Sequence, residues 1–184
     1  VDLLLRQAAS GENSLDEPAV EVAAPVMSPP EAPAMPETIG RYRVTGKLGE
    51  GGMGLVYEAV DDRLGRPIAL KVIRRDTVGD SLARERFWRE ARLAASVNHP
   101  HICQIYEVGE VDQQLFIAME RLDGEPLSER LDRGAVPLAD AVPIGLEVLG
   151  ALDALHVHGI VHRDLKPSNI FLTGHGVKLL DFGL

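Results

Sequence analysis

One segment limits the fold and chemistry of this chain more than any other: Ile160 to Asn169, IVHRDLKPSN, followed after a short interval by Asp181, Phe182 and Gly183. Asp164 has a lysine, Lys166, two positions on and an asparagine, Asn169, three beyond that, and Pro167 keeps the stretch from running as plain helix. The result is a loop with chemistry on it. A carboxylate can orient a hydroxyl or take its proton, and an ammonium can neutralise a phosphoryl group in transfer. An amide oxygen with a second carboxylate suits Mg²⁺, which prefers hard oxygen ligands. These parts belong to phosphoryl transfer, and they need a fold that returns Asp181 to Asn169. Ile170–Thr173 and Val177–Leu180, flanking Gly174-His175-Gly176, read as a small hairpin that does so by holding the two ligands at its ends.

Upstream, a glycine cluster set between apolar alternations is the next informative feature. IGRYRVTGKLGEGGMGLVYEAVDD alternates apolar and polar residues on both sides of a glycine cluster, which predicts strand, tight turn, strand. Gly49, Gly51 and Gly54 form G-x-G-x-x-G. In the dinucleotide-binding fingerprint that spacing opens a helix, whereas here Leu55 to Val60 is a short run with two valines and a tyrosine, so the hairpin reading wins. The next strand, RPIALKVIRRD, carries Lys71. Only four of the nineteen Lys and Arg residues are lysine, so lysines at both 71 and 166 point to a demand for a compact ammonium over a planar guanidinium.

Asp80 to Val97 has helical character, with Asp80 or Ser81 as cap and Glu85 and Glu90 among several arginines. Strands are expected at Ile105–Glu110 and Leu115–Glu120, joined by VDQQ. A short helix containing Leu127 and Leu131 should end at Gly134. The following helix should run to about His158, starting late with Asp140 as N-cap so that Pro143 falls in the first turn, where no intrahelical N–H is lost. Cys103, in the apolar setting ICQIY, reads as a core residue. His99 and His101 belong to a turn without further metal ligands nearby in sequence, His156 and His158 are structural, and His162 reads as a packing and hydrogen-bonding residue of its loop.

Charge and composition exclude other classes. The net charge is −9, but residues 1–40 hold seven of the 28 acids and one of the 19 bases, so the remainder is nearly balanced. An acidic chain without a basic stripe excludes nucleic acid as a default partner. Six of twelve prolines lie between Pro18 and Pro36 among Ala, Val and Glu, which predicts a disordered linker over residues 1–38 with a short helix at its start; a ligand for a proline-recognising module is the minor alternative. The longest apolar tract, Val136 to Val161, is interrupted by Asp140, Glu147 and Asp153, so no membrane segment is expected. One cysteine excludes an internal disulfide.

Together, LGEGGMG, Ala69-Leu70-Lys71, HRDLKPSN and DFG resemble the protein kinases, and the phrasing is most similar to the eukaryotic-like serine/threonine kinases of bacteria. The resemblance implies an α+β protein-kinase-like fold over 39–184: an antiparallel five-stranded N-lobe with helix C (about 39–119), a hinge (120–124) and a truncated helical C-lobe (125–184). It implies ATP and Mg²⁺ as cofactors. Leu48, Gly49, Glu50, Gly51, Gly52, Met53 and Gly54 would cover the phosphates. Val56, Ala69, Met119 and Phe171 would enclose adenine, with the backbone of Glu120 and Leu122 bonding it. Lys71, paired with Glu90, would contact the α- and β-phosphates. Asp164 would orient the substrate hydroxyl, Lys166 steady the γ-phosphate, and Asn169 and Asp181 bind the metal. Protein substrates with Ser or Thr acceptors, cytoplasmic location of the domain with a parent anchored elsewhere, and a homodimer for trans-autophosphorylation are further implications. A pseudokinase or nucleotide-binding scaffold stays open as the alternative. The chain stops one residue past DFG, so the 184 residues alone are expected to be inactive and the helix ending at His158 to leave an apolar face exposed.

Overall fold

The structure, a computed structural model, describes residues 35–52, 54–74 and 81–182. Most of the expected linker, together with Met53, Asp80 and Gly183, therefore lies outside the described residues.

Six strands form one antiparallel sheet: β1 (Thr38–Ile39), β2 (Tyr42–Gly51), β3 (Gly54–Asp61), β4 (Arg66–Ile73), β5 (Ile105–Val111) and β6 (Gln114–Glu120), in the order β1-β2-β3-β4-β6-β5. Five strands were expected. The sixth, β1, pairs Thr38 with Arg43 and Ile39 with Tyr42 around Gly40, whose φ is 59°, and a two-residue strand leaves no alternation to read. The β5–β6 turn places Asp112 and Gln113 at φ 48° and 63°, the paired left-handed pattern that matches the twist of a two-residue hairpin. Helix α1 (Ser81–Ser96) connects β4 to β5.

Period-two alternation loads both faces of the central strand β6. Phe116 and Ala118 join Tyr42, Val44, Tyr57, Ile68 and Leu70 in one cluster, while Leu115 and Ile117 join Ile73, Ala94, Val97 and residues of the later helix in another. On β4 the same alternation sends Ile68 and Leu70 into the first cluster. It leaves Ala69 and Lys71 on the opposite face, and that face becomes the site.

The rest of the chain comprises β7 (Gly124–Pro126), α2 (Leu127–Asp132), α3 (Leu138–Val157), a 3-10 turn at Pro167–Asn169, β8 (Ile170–Thr173) and β9 (Gly176–Leu179). Strands β7, β8 and β9 form a second, antiparallel sheet in that order. Helix α3 does not start at Asp140. Pro137 is its N-cap, with the N–H groups of Asp140 and Ala141 both on the Pro137 carbonyl at 3.0 and 2.9 Å. Pro143 is therefore interior. The carbonyl it leaves without an N–H partner, that of Ala139, lies on an exposed turn, which lowers the cost of the missing bond.

One face of α3 buries Val148, Ala151 and Leu155, and the other carries Leu138, Val142, Leu146 and Leu149 at 78, 51, 64 and 62 % exposure. The apolar face expected from the sequence is thus on the surface. Leu155→Ala should cost about 2–5 kcal/mol, because it empties a fully buried site. Leu146→Ala should cost under about 0.5 kcal/mol. Urea unfolding of the two variants measures both, and equal losses would contradict the assignment of faces.

Candidate active site

Register brings the first group together. β4 lies between β3 and β6, so Lys71 sits across from Val56 on one side and Ile117 on the other, and Ala69 across from Met119. Lys71 is 5 % exposed, and its Nζ donates to Asp181 Oδ1 at 2.6 Å. Asp181 takes a left-handed φ of 54° just after β9. Its place follows from a main-chain bond in which Leu180 N–H donates to the Asn169 carbonyl at 2.9 Å, setting Asp181 beside Asn169 as the hairpin reading required.

The loop supplies the second group. Lys166 Nζ lies 2.7 Å from Asp164 Oδ2, and Asn169 Nδ2 donates to the Asp164 carbonyl at 2.8 Å and to its Oδ2 at 3.1 Å. The Lys166 ammonium first, and the Asn169 amide after it, hold the Asp164 carboxyl below the usual carboxylate range, so it is anionic at neutral pH. Among the described residues no hydrogen bond ends on Asn169 Oδ1. That leaves a hard oxygen on the residue whose carbonyl holds the N–H of Leu180, one position before Asp181, and an amide oxygen with a carboxylate is a donor pair that fits Mg²⁺ with further oxygens supplied by phosphates. Among the described residues no cluster of three His, Cys, Asp or Glu side chains could hold a metal by itself.

The glycine loop joins β2 to β3, and its glycines are there for different reasons. An added Cβ at Gly49, Gly51 or Gly52 would meet nothing within 4 Å, whereas at Gly54 (φ 154°) it would lie 1.8 Å from the Val72 carbonyl oxygen. Gly54 is required by β3–β4 packing, and the other three leave open backbone. Leu48 is half exposed, and Glu50 is tied to Lys47 and Arg74, each at 2.9 Å. At the end of β6, Glu120 N–H donates to the Gln104 carbonyl at 2.9 Å and the Glu120 carboxylate takes Lys178 at 2.8 Å. Among the described residues no hydrogen bond uses the Leu122 backbone. Phe171 pairs with Lys178 and Pro126 in the second sheet and is partly buried. Behind Met119, a small cavity is lined by Cys103, Ile105, Ile117, Asp181 and Phe182. Burial pushes the Cys103 thiol up to about 12, in keeping with a core residue.

Two expectations are corrected. Glu90 does not pair with Lys71: its carboxylate lies 3.4 Å from Arg163 Nη1, while Asp181 holds the lysine. Arg163, at φ 65°, extends from the loop toward α1, a contact between residues 73 apart that local pattern cannot show. His162 is 3 % exposed and packs edge-on against Phe182 at 6.5 Å, but neither ring nitrogen has a hydrogen-bond partner among the described residues, so only the packing half of its expected role is present. The sequence reading also missed Lys178. The scarcity of lysine that singled out Lys71 and Lys166 applies equally to it.

Residues 42–184 match the family described as the protein kinase domain. The chain belongs to that family. This kinase domain is 45% identical over 148 residues to the probable serine/threonine-protein kinase PknB of Lactococcus lactis subsp. lactis (strain IL1403), covering 78% of this chain and 23% of that protein. It is 42% identical over 152 residues to the serine/threonine-protein kinase PknA of Mycobacterium tuberculosis (strain ATCC 25618 / H37Rv), covering 79% and 35%. Among solved structures, the Mycobacterium tuberculosis PknI kinase domain superposes with a TM-score of 0.75 at 37% identity, covering 82% of this chain and 62% of that one. The kinase domain thus spans about a quarter to a third of the length of these curated relatives. Its fold is protein-kinase-like, as the resemblance implied. No described helix is long and apolar enough to cross a membrane.

Proposed function

We propose that this chain acts in an ATP-dependent protein serine/threonine kinase that transfers the γ-phosphate of ATP to Ser or Thr hydroxyls of protein substrates. The observation that carries this reading is the convergence of Lys71, Asp164, Lys166, Asn169 and Asp181, with two carboxylates, two ammonium groups and a spare amide oxygen in one region. That its relatives are named serine/threonine-protein kinases supports the choice of acceptor.

In this reading Val56, Ala69, Met119 and Phe171 enclose adenine, and the unused Leu122 backbone together with that of Glu120 reads its edge. The open backbone of Gly49 to Gly52 approaches the phosphates with no Cβ in the way. Lys71 holds the α- and β-phosphates. Asn169 and Asp181 are the residues that would hold Mg²⁺, which when bound neutralises charge on the phosphate oxygens. Asp164 orients the acceptor hydroxyl and takes its proton, and Lys166 passes from Asp164 to the γ-phosphate. There is little covalent work for the protein, so positioning and charge stabilisation carry the rate.

As it stands, Lys71 is paired with Asp181, and for phosphate binding it must exchange that carboxylate for nucleotide. This supports the further reading that the 184 residues alone bind nucleotide weakly and do not turn over. A homodimer for trans-autophosphorylation, a cytoplasmic domain and an anchored parent belong to the same proposal.

The test is phosphate transfer from Mg-ATP to serine and threonine by the protein expressed through its natural stop codon, beside Asp164→Asn. Transfer that falls at least about 10²-fold in the variant supports the kinase reading. No transfer, with Mg-ATP still raising the melting temperature, would replace it with a nucleotide-binding scaffold.

A further inference from the structure

In the second sheet β9 is an edge strand, yet its outward main-chain groups are all taken. Leu179 N–H donates to the His101 carbonyl at 2.9 Å, and Cys103 N–H donates to the Leu179 carbonyl at 2.9 Å, so residues 101–103 lie beside it as a short parallel neighbour. One step back along the strand, side chains take over. Val177 N–H donates to Glu147 Oε2 at 2.7 Å, and His101 Nδ1 lies 3.1 Å from the Val177 carbonyl. Glu147 comes from α3 and His101 from the segment between α1 and β5, and the two side chains approach to 3.7 Å. The position is shaped to take the carboxylate. Gly176 has φ 107°, and a Cβ there would lie 2.8 Å from Glu147 Oε2.

What β9 leads to gives this clamp a function. Three residues separate Val177 from Asp181, and among them the Leu180 N–H is fixed on the Asn169 carbonyl. We propose that Glu147 and His101 are positioning residues, which by holding both main-chain groups of Val177 fix the strand that carries Asp181 to its place beside Asn169. This rests on the reading of Asp181 as a metal ligand. Neither side chain touches substrate. They act through the backbone, as groups one shell out from a metal do, and removing such groups costs about 10–100-fold in metal affinity.

The test compares Glu147→Ala and Glu147→Gln with the parent chain by hydrogen exchange, and by nucleotide affinity with Mg²⁺ and with EDTA. Glu147→Ala should speed amide exchange in 176–182 at least about tenfold while the six-stranded sheet exchanges as before. It should weaken nucleotide binding about tenfold in Mg²⁺ and leave metal-free binding unchanged. Glu147→Gln, whose amide oxygen still accepts the Val177 N–H, should restore both. Unchanged exchange in 176–182, faster exchange throughout the chain, or a glutamine variant as impaired as alanine would each overturn the proposal. Absence of nucleotide binding under either condition by the unsubstituted protein expressed through its natural stop codon would sink the kinase reading instead, and the exchange experiment would still decide whether Glu147 holds β9.

Discussion

Gly54→Ala should destabilise the chain by about 3 kcal/mol or more, while Gly51→Ala, three positions earlier in the same glycine run, should cost less than about 0.5 kcal/mol. At Gly54 the new Cβ would sit 1.8 Å from the Val72 carbonyl oxygen and 2.9 Å from its carbon, both main-chain atoms of a neighbouring strand that cannot turn aside. Relief would require β3 and β4 to separate where Gly54 pairs with Ile73, at a φ that side chains rarely adopt. Gly51 has open space around it, so its alanine variant should fold normally and show its defect only in weaker nucleotide binding. Urea unfolding and a nucleotide titration separate the two effects. Equal losses of stability would show that the run serves a single purpose.

Lys71→Met should lower phosphoryl transfer by the protein expressed through its natural stop codon at least about 10²- to 10³-fold, the scale seen when one stabilising donor is removed from a catalytic site. Its melting temperature should stay the same or rise. Lys71 is 5 % exposed, so methionine returns apolar contact at that site in place of a desolvated ammonium. The partner left behind, Asp181, has a side chain 36 % exposed, so it can be solvated once the lysine is gone. A marked drop in stability would show that the Lys71–Asp181 pair holds the fold together. Unchanged transfer would remove Lys71 from the mechanism.

The sequence carried much of this architecture because its signals are local. The β2–β3 and β8–β9 hairpins are set by alternation and glycine, and the loop residues Asp164, Lys166 and Asn169 meet within six positions of one another. Contacts between distant segments were beyond its reach. Glu90 can face Lys71 or Arg163 from the same helix, and only the placement of α1 decides between them. Glu147 looked like a polar interruption of an apolar helix until β9 supplied its partner. The start of α3 was misjudged for another reason. Two prolines lie near the entrance, and Pro137, at φ −56° and ψ 146°, became the N-cap although Pro143 then had to be accommodated inside the helix.

The strand order has a kinetic consequence. Four of the five pairings in the six-stranded sheet join strands adjacent in sequence, and only β4–β6 must wait for α1 and β5 to be bridged. Chain-closure entropy is concentrated in that one pairing, which should make it the slow, late step of assembly. Lys71 lies within it, across from Ile117. The lysine therefore reaches the site at the same moment as the sheet is completed, and a half-folded chain would have no competent phosphate site to display. Stopped-flow refolding followed through Trp88, the one tryptophan and a residue of the intervening helix, would show whether closure sets the rate.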